Sequence, residues 1–228
     1  MIHDRRVALG YRIFSLAFSI IGLMAVTHAF TSDFSVSIFA YYTTQSNILG
    51  AFLFLLLSIR TTKGLREDGK QGSVSYYPSF EMVCVIDLLL TLLVFWALLA
   101  PTTFTMSSTF SPFEFSSIAT HLITPLLVLL DYLLFTDSGH LRYQDVFLVL
   151  IYPLIYLALS SAAGLLGYVY RLRPDGSPVR FPYFFYDFDQ IGAQALLYIG
   201  ALIVFFLLLS HGFYLFDKKV RKTVLFPN

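Results

Sequence analysis

Charge is what this sequence has least of. Lysine, arginine, aspartate and glutamate make up 13% of its 228 residues, about half the roughly 25% usual in a soluble domain. No polar stretch is long enough to fold as a hydrophilic domain by itself. The formal net charge of +1 gives no global attraction to nucleic acid. A single cysteine, Cys84, sits in an apolar run and rules out an intrachain disulfide. There is no glycine-rich phosphate loop, no low-complexity tract and no strong internal repeat. Histidines number five, and only His28, His121 and His211 fall within apolar runs. A membrane haem protein needs facing axial pairs, and His28 with His121 makes one at most. Zinc needs three or four ligands. Ser117 and His121 give half of a Ser-x3-His plus His-x3-His pattern and no second pair follows, so neither metal nor cofactor is expected.

What the chain does have is apolar length. It is 57% hydrophobic and 18% aromatic, with a mean hydropathy of +0.73. A helix needs about 20 apolar residues to cross the hydrocarbon core. Six segments qualify, at about 9–30, 37–59, 81–100, 116–135, 145–168 and 192–215, separated by breakers such as "KGLREDGKQGS", "TDSGHLRYQD" and "RLRPDGSPVRFPYFFYDFDQ". Arg5 and Arg6 precede the first run as in a signal peptide. That run is of spanning length, lacks a small-x-small cleavage site and is followed by more spans, so it reads as an uncleaved helix. Basic residues orient the whole. Twelve of the fifteen lysines and arginines fall before the first span, between the second and third, between the fourth and fifth, or after the last. Only Arg171, Arg173 and Arg180 fall on the other side. The positive-inside rule then places both termini in the cytoplasm. The expectation is an all-α bundle of six transmembrane helices forming one integral membrane domain over 1–228, in a bacterial cell membrane.

Polar residues inside the spans carry the functional reading. Thr43 to Asn47 form a polar row near the start of the second run. Counted from the run boundaries, Thr43 lies about six residues in and His121 about five, each roughly 8–9 Å deep at about 1.5 Å per residue. Both therefore belong to one layer. Thr43, Ser46, Asn47 and Gly50 share a helical face, whereas Thr44 lies with Ile48 and Ala51, where its hydroxyl would bond the Ala40 carbonyl. Pro125 has no N–H for the His121 carbonyl, so a bend and a free acceptor are expected there. Gln190, Gln194 and Tyr198 start the last span, and Ser160 and Gly164 come from the fifth. Serine and threonine in spans commonly satisfy themselves on the preceding turn, but an intramembrane histidine is a functional candidate by default. A threonine hydroxyl needs a base to act as nucleophile, and a neutral histidine supplies one. Asp87 and Asp131 fall in the inner third and read as structural acids, paired with Arg12 or Arg60 or with each other.

The stretches "YYTTQSNIL", "HLITPLLVLLDYLLF" and "IYPLIYLALSSAAG" resemble the bacterial branch of the androgen-induced membrane protein family. The resemblance covers most of the six-span region. It implies a multi-pass threonine hydrolase; animal members of that family cleave fatty acid esters of hydroxy fatty acids with an intramembrane threonine and histidine. The matching positions are Thr43, after Tyr41 and Tyr42, and His121. Thr43 is then the nucleophile and His121 the base. Asn47, Ser46, Gln194 and Ser160 are candidates to bind substrate or stabilise an oxyanion. The partner expected is a membrane lipid substrate. The alternative is a non-catalytic lipid-binding or transport protein that uses the same polar layer to hold a head group.

Overall fold

The computed structural model describes residues 1–29, 34, 36–101, 111–173 and 175–225, with side chains to 219. Most of the breakers at 31–35 and 102–110, and the side chains of Arg221 and Lys222, lie outside the described residues. Six helices are long and apolar enough to cross a membrane: α1 (Arg5–Val26), α2 (Tyr42–Glu67), α3 (Pro78–Leu99), α4 (Phe115–Phe135), α5 (Asp145–Leu165) and α6, whose apolar span is Gln194–Lys219 within a helix that runs to Leu225. The chain is a multi-pass, all-α bundle. A small antiparallel hairpin, β1 (Arg171–Leu172) with β2 (Pro178–Val179), lies between α5 and α6.

Helix ends follow local chemistry. The Asp4 carboxylate caps α1 by accepting from the Arg6 N–H at 2.8 Å, filling an orphan donor of the first turn. Pro78 begins α3, where its missing N–H costs nothing. The largest departure from the sequence reading is α2. It starts at Tyr42 and runs to Glu67, and residues Val36–Ala40 form a 3-10 turn instead of its first turns. Thr43 is thus the second residue of the helix, not a residue six deep. Apolar length gives no boundary at Tyr41 because the 3-10 residues are equally apolar.

The two ends of the bundle differ. At one, the N-terminal segment pairs with the α2–α3 loop: the Arg5 guanidinium donates to the Gly69 and Gln71 carbonyls at 2.8 and 2.6 Å. The α4–α5 loop joins them, with Ser73 donating to Asp137 at 2.6 Å and Asp217 of α6 accepting from the Gly139 N–H at 2.7 Å. This is the basic end, and the four segments grouped by their charge do lie together. The other end carries the hairpin and the start of α2.

The main core cluster is drawn from α2, α3, α4, α5 and α6 and includes Leu53, Phe54, Leu57, Met82, Ile86, Leu88 and Val128; smaller clusters gather around Phe181 and Tyr186 and around Ala8 and Phe135. Gly50 lets α2 approach closely: a Cβ there would sit 2.9 Å from Leu88 Cδ1 and 3.6 Å from Val128 Cγ2. One ion pair lies wholly inside. Arg12 donates to Asp131 through Nε at 2.9 Å and Nη2 at 3.1 Å, and to Thr61 Oγ1 at 2.6 Å. The structural reading of Asp131 holds, with Arg12 as its partner. Asp87 differs, because it meets no arginine and takes the Tyr42 hydroxyl at 3.1 Å.

Candidate functional site

Two π-turns shape the hairpin-end half of the bundle. In α4, Pro125 cannot donate to the His121 carbonyl, and the Thr124 N–H reaches back five residues to Ala119. In α3, residues Phe95–Leu99 form a second π-turn. The freed His121 carbonyl accepts from the Trp96 indole N–H at 3.3 Å, so the acceptor expected from Pro125 is present and used. The Phe95 ring stacks on the His121 imidazole, with centroids 3.6 Å apart.

The imidazole is held from its own helix. His121 Nδ1 lies 3.0 Å from the Ser117 carbonyl and 3.2 Å from Thr120 Oγ1. A carbonyl can only accept, so Nδ1 carries the proton and Nε2 keeps the lone pair. Ser117 therefore orients His121 through its backbone, not through the hydroxyl that its spacing had drawn attention to.

Asn47 ties this layer to α2. Its amide nitrogen donates to the Thr43 carbonyl at 2.8 Å and to the Thr120 carbonyl at 3.0 Å. One nitrogen thus spans the residues beside both proposed catalytic groups, which puts Thr43 and the His121 turn at a common depth. Ser46 donates to the Thr43 carbonyl at 3.1 Å and shares a 3.1 Å hydrogen bond with Thr91 of α3. Among the described residues, no hydrogen bond joins Thr43 to His121.

Thr43 borders a partly open cavity of about 100 Å³ between α2, α3, α5, α6 and the segment 183–186. Its far walls are leucine, isoleucine, valine, proline and phenylalanine. The hydroxyl-bearing residues in its wall are Tyr42, Thr43, Thr91, Tyr156, Tyr183 and Tyr186. Thr44 is buried away from it and His121 is not in its wall. The Ala40 carbonyl accepts from Tyr156 at 3.1 Å, where Thr44 had been expected to bond. Ser160 stands one bond behind the wall and accepts from the Tyr186 hydroxyl at 2.9 Å. Gln194 is exposed in the first turn of α6 and is not brought to Thr43.

The first turn of α2 adds donors. Tyr41 makes no side-chain cap, and the first bond of the helix is Gln45 N–H to the Tyr41 carbonyl. The N–H groups of Tyr42 and Thr43 instead face the Tyr183 hydroxyl, which also meets the Thr43 side chain. Burial pushes the Tyr183 hydroxyl up to about 12, and its hydrogen bonding with Thr43 works against that rise. These tyrosines were not singled out from sequence. The signal available was the density of "FPYFFYDFD" at 181–189, read there only as a breaker. Asp87 was misplaced in depth: through Tyr42 it lies directly behind the cavity wall, and its own carbonyl accepts from Thr91 at 3.1 Å. No protein-family model, curated protein or solved structure matches the chain.

Proposed function

We propose that this protein is an intramembrane hydrolase of lipid esters in a bacterial cell membrane, with Thr43 as nucleophile and His121 as base. Its substrates are fatty acid esters of hydroxy fatty acids or similar lipids. The observation that carries the reading is the position of Thr43, a hydroxyl-bearing residue in the wall of an otherwise largely apolar cavity. An acyl chain fits the apolar part, and its ester then lies at the threonine. The Tyr42 and Thr43 N–H groups, at the positive end of α2, are the donors suited to an oxyanion once Tyr183 gives way. Ser46 and Asn47 fix the Thr43 backbone, and Ser160 fixes Tyr186. His121 takes the hydroxyl proton on Nε2 and returns it to the leaving alcohol as the acyl group passes to Thr43; a water then gives its proton to the same Nε2, its oxygen takes the acyl group as the free fatty acid, and the proton returns to the Thr43 hydroxyl. The first transfer requires the ring to slide off Phe95 toward α2; catalytic hydrogen bonds are often long before substrate binds.

A second reading has one observation in its favour. The missing hydrogen bond between Thr43 and His121 suits a protein that binds lipid in the cavity without cleaving it. Activity-based labelling separates the two. Purified protein is treated with a fluorophosphonate probe directed at serine and threonine nucleophiles. Hydrolase action gives labelling of wild type that is lost in Thr43→Ala, and loss of ester turnover in His121→Ala. Unlabelled wild type with no turnover on any ester, while lipid still binds, establishes the binding protein.

A further inference from the structure

The lining of the cavity defines what it admits and by which route. None of its eighteen lining residues is charged. Four of the hydroxyls in the wall spend their single proton elsewhere, Tyr42 on Asp87, Thr91 on the Asp87 carbonyl, Tyr156 on the Ala40 carbonyl and Tyr186 on Ser160, so Thr43 and Tyr183 are the two left to meet a carbonyl or hydroxyl oxygen. The charged side chain in closest contact with the lining is an acid, Asp87, bonded to Tyr42. Of the three arginines in the α5–α6 loop, Arg173 and Arg180 are paired, with Asp187 at 3.1 Å and with Asp189, and Arg171 lies beside Tyr41 outside the lining. A phosphate or free carboxylate drawn in here would be desolvated without a counter-charge, which is costly in so apolar a site; a fatty acid ester of a hydroxy fatty acid therefore enters by its acyl chain and ester and keeps its own carboxylate outside.

The route follows from packing. On the hairpin side the cavity is roofed by Tyr183, Phe185 and Tyr186, and the strand leading to them is pressed onto α5 where Gly164 lies against the Arg180 carbonyl. Sideways, the first turn of α5 touches α6, and beyond it residues 151–165 make little backbone contact with the neighbouring helices. Leu150, Leu154 and Leu157 of α5 face Ile199, Ile203 and Phe206 of α6 across the empty volume, each row at helical spacing.

We infer that the cavity takes a single-chain lipid with an uncharged hydrogen-bonding head, such as a neutral fatty acyl ester, which enters from the bilayer between α5 and α6. This rests on the proposed function for the position of the ester, but not for binding. Entry of the chain lodges hydrocarbon between the two rows, and the head meets the hydroxyls of Tyr183 and Thr43.

The test uses the whole purified protein in detergent. Three palmitoyl lipids are compared by native mass spectrometry and by ligand-induced thermal shift at pH 8: methyl palmitate, palmitate and lysophosphatidylcholine. The neutral ester is expected to bind at least tenfold more tightly than either charged lipid. Leu154→Trp or Ile203→Trp should weaken it at least tenfold, whereas Leu159→Trp, at a position 67% exposed on α5, should not. If a tryptophan variant fails to fold, Leu154→Phe is used and a smaller loss in the same direction is expected. Equal binding of palmitate or the lysophospholipid, no binding of the ester, or indifference to both gate substitutions overturns the inference. Binding without release of palmitate by wild type leaves it standing and removes the hydrolase reading. Release of palmitate with no preference for the uncharged lipid does the reverse.

Discussion

Replacing Asp131 with asparagine should destabilise this protein more than any change at the proposed site. Arg12 and Asp131 are 0% and 2% exposed in their side chains. The contact is bidentate, and the remaining donor nitrogen goes to Thr61. The guanidinium is further sandwiched between Tyr76 and Phe135, 5.9 and 5.6 Å from their ring centres. Asparagine preserves the shape but leaves the arginine cation without its carboxylate. No other acid takes over by hydrogen bonding, since Glu81 is bonded to Thr136 and to the Tyr77 N–H. Removing one partner of a buried pair costs about 3–5 kcal/mol. For a chain of this length that corresponds to a loss of roughly 6–20 °C in Tm. Replacing both partners, as Arg12→Met with Asp131→Leu, should cost less than Asp131→Asn alone, because no orphaned charge remains. The assay is thermal unfolding in detergent over the full double-mutant cycle, followed by ester turnover below the transition. A Tm for Asp131→Asn within a degree of wild type refutes the electrostatic argument. So does a double variant whose loss equals the sum of the single losses. Loss of turnover in a fully stable Asp131→Asn protein would place the pair in the chemistry.

Other expectations concern the site. Thr43→Ala and His121→Ala should each abolish most ester hydrolysis, and the double variant should be little worse, since a nucleophile and its base act as one unit; product release by a chromatographic assay reads this. Thr44→Ala should keep substantial activity, because Thr44 is buried outside the cavity wall; a dead Thr44→Ala beside an active Thr43→Ala would shift the nucleophile by one residue. Gly164→Ala should displace the roof, since its Cβ would overlap the Arg180 carbonyl oxygen and lie 3.2 Å from Phe181 Cε1. A cost of about 1–3 kcal/mol is expected for such overpacking, seen as a lower Tm with a changed chain-length preference. Cysteine placed at Gln71 should be labelled from the cytoplasmic side, as the basic residues at its end of the bundle require; labelling only from outside would invert the topology.

Composition by itself determined the class of this protein. A chain so poor in charge has no surface that water would solvate, so its six apolar runs become spanning helices. The helical period also gave the inward face of α2 through Gly50 and Asn47, and proline chemistry gave the free carbonyl at His121. Asp131, buried among leucines, was expected to find a cation, and Arg12, one of those named, is its partner. What the sequence did not carry was proximity across helices. Only packing brought Tyr183 and Tyr186, from a stretch read as a linker, onto the wall beside Thr43. Only packing put Asp87 under Tyr42 instead of beside an arginine, and left Gln194 exposed. The orienting partner of His121 is a backbone carbonyl, which every residue possesses and no side-chain pattern marks. Periodicity fixes which way a side chain points on its own helix. The partner it meets is set by helix start, tilt and π-turns, and a shift of helix start by about four residues moves a side chain by a full turn.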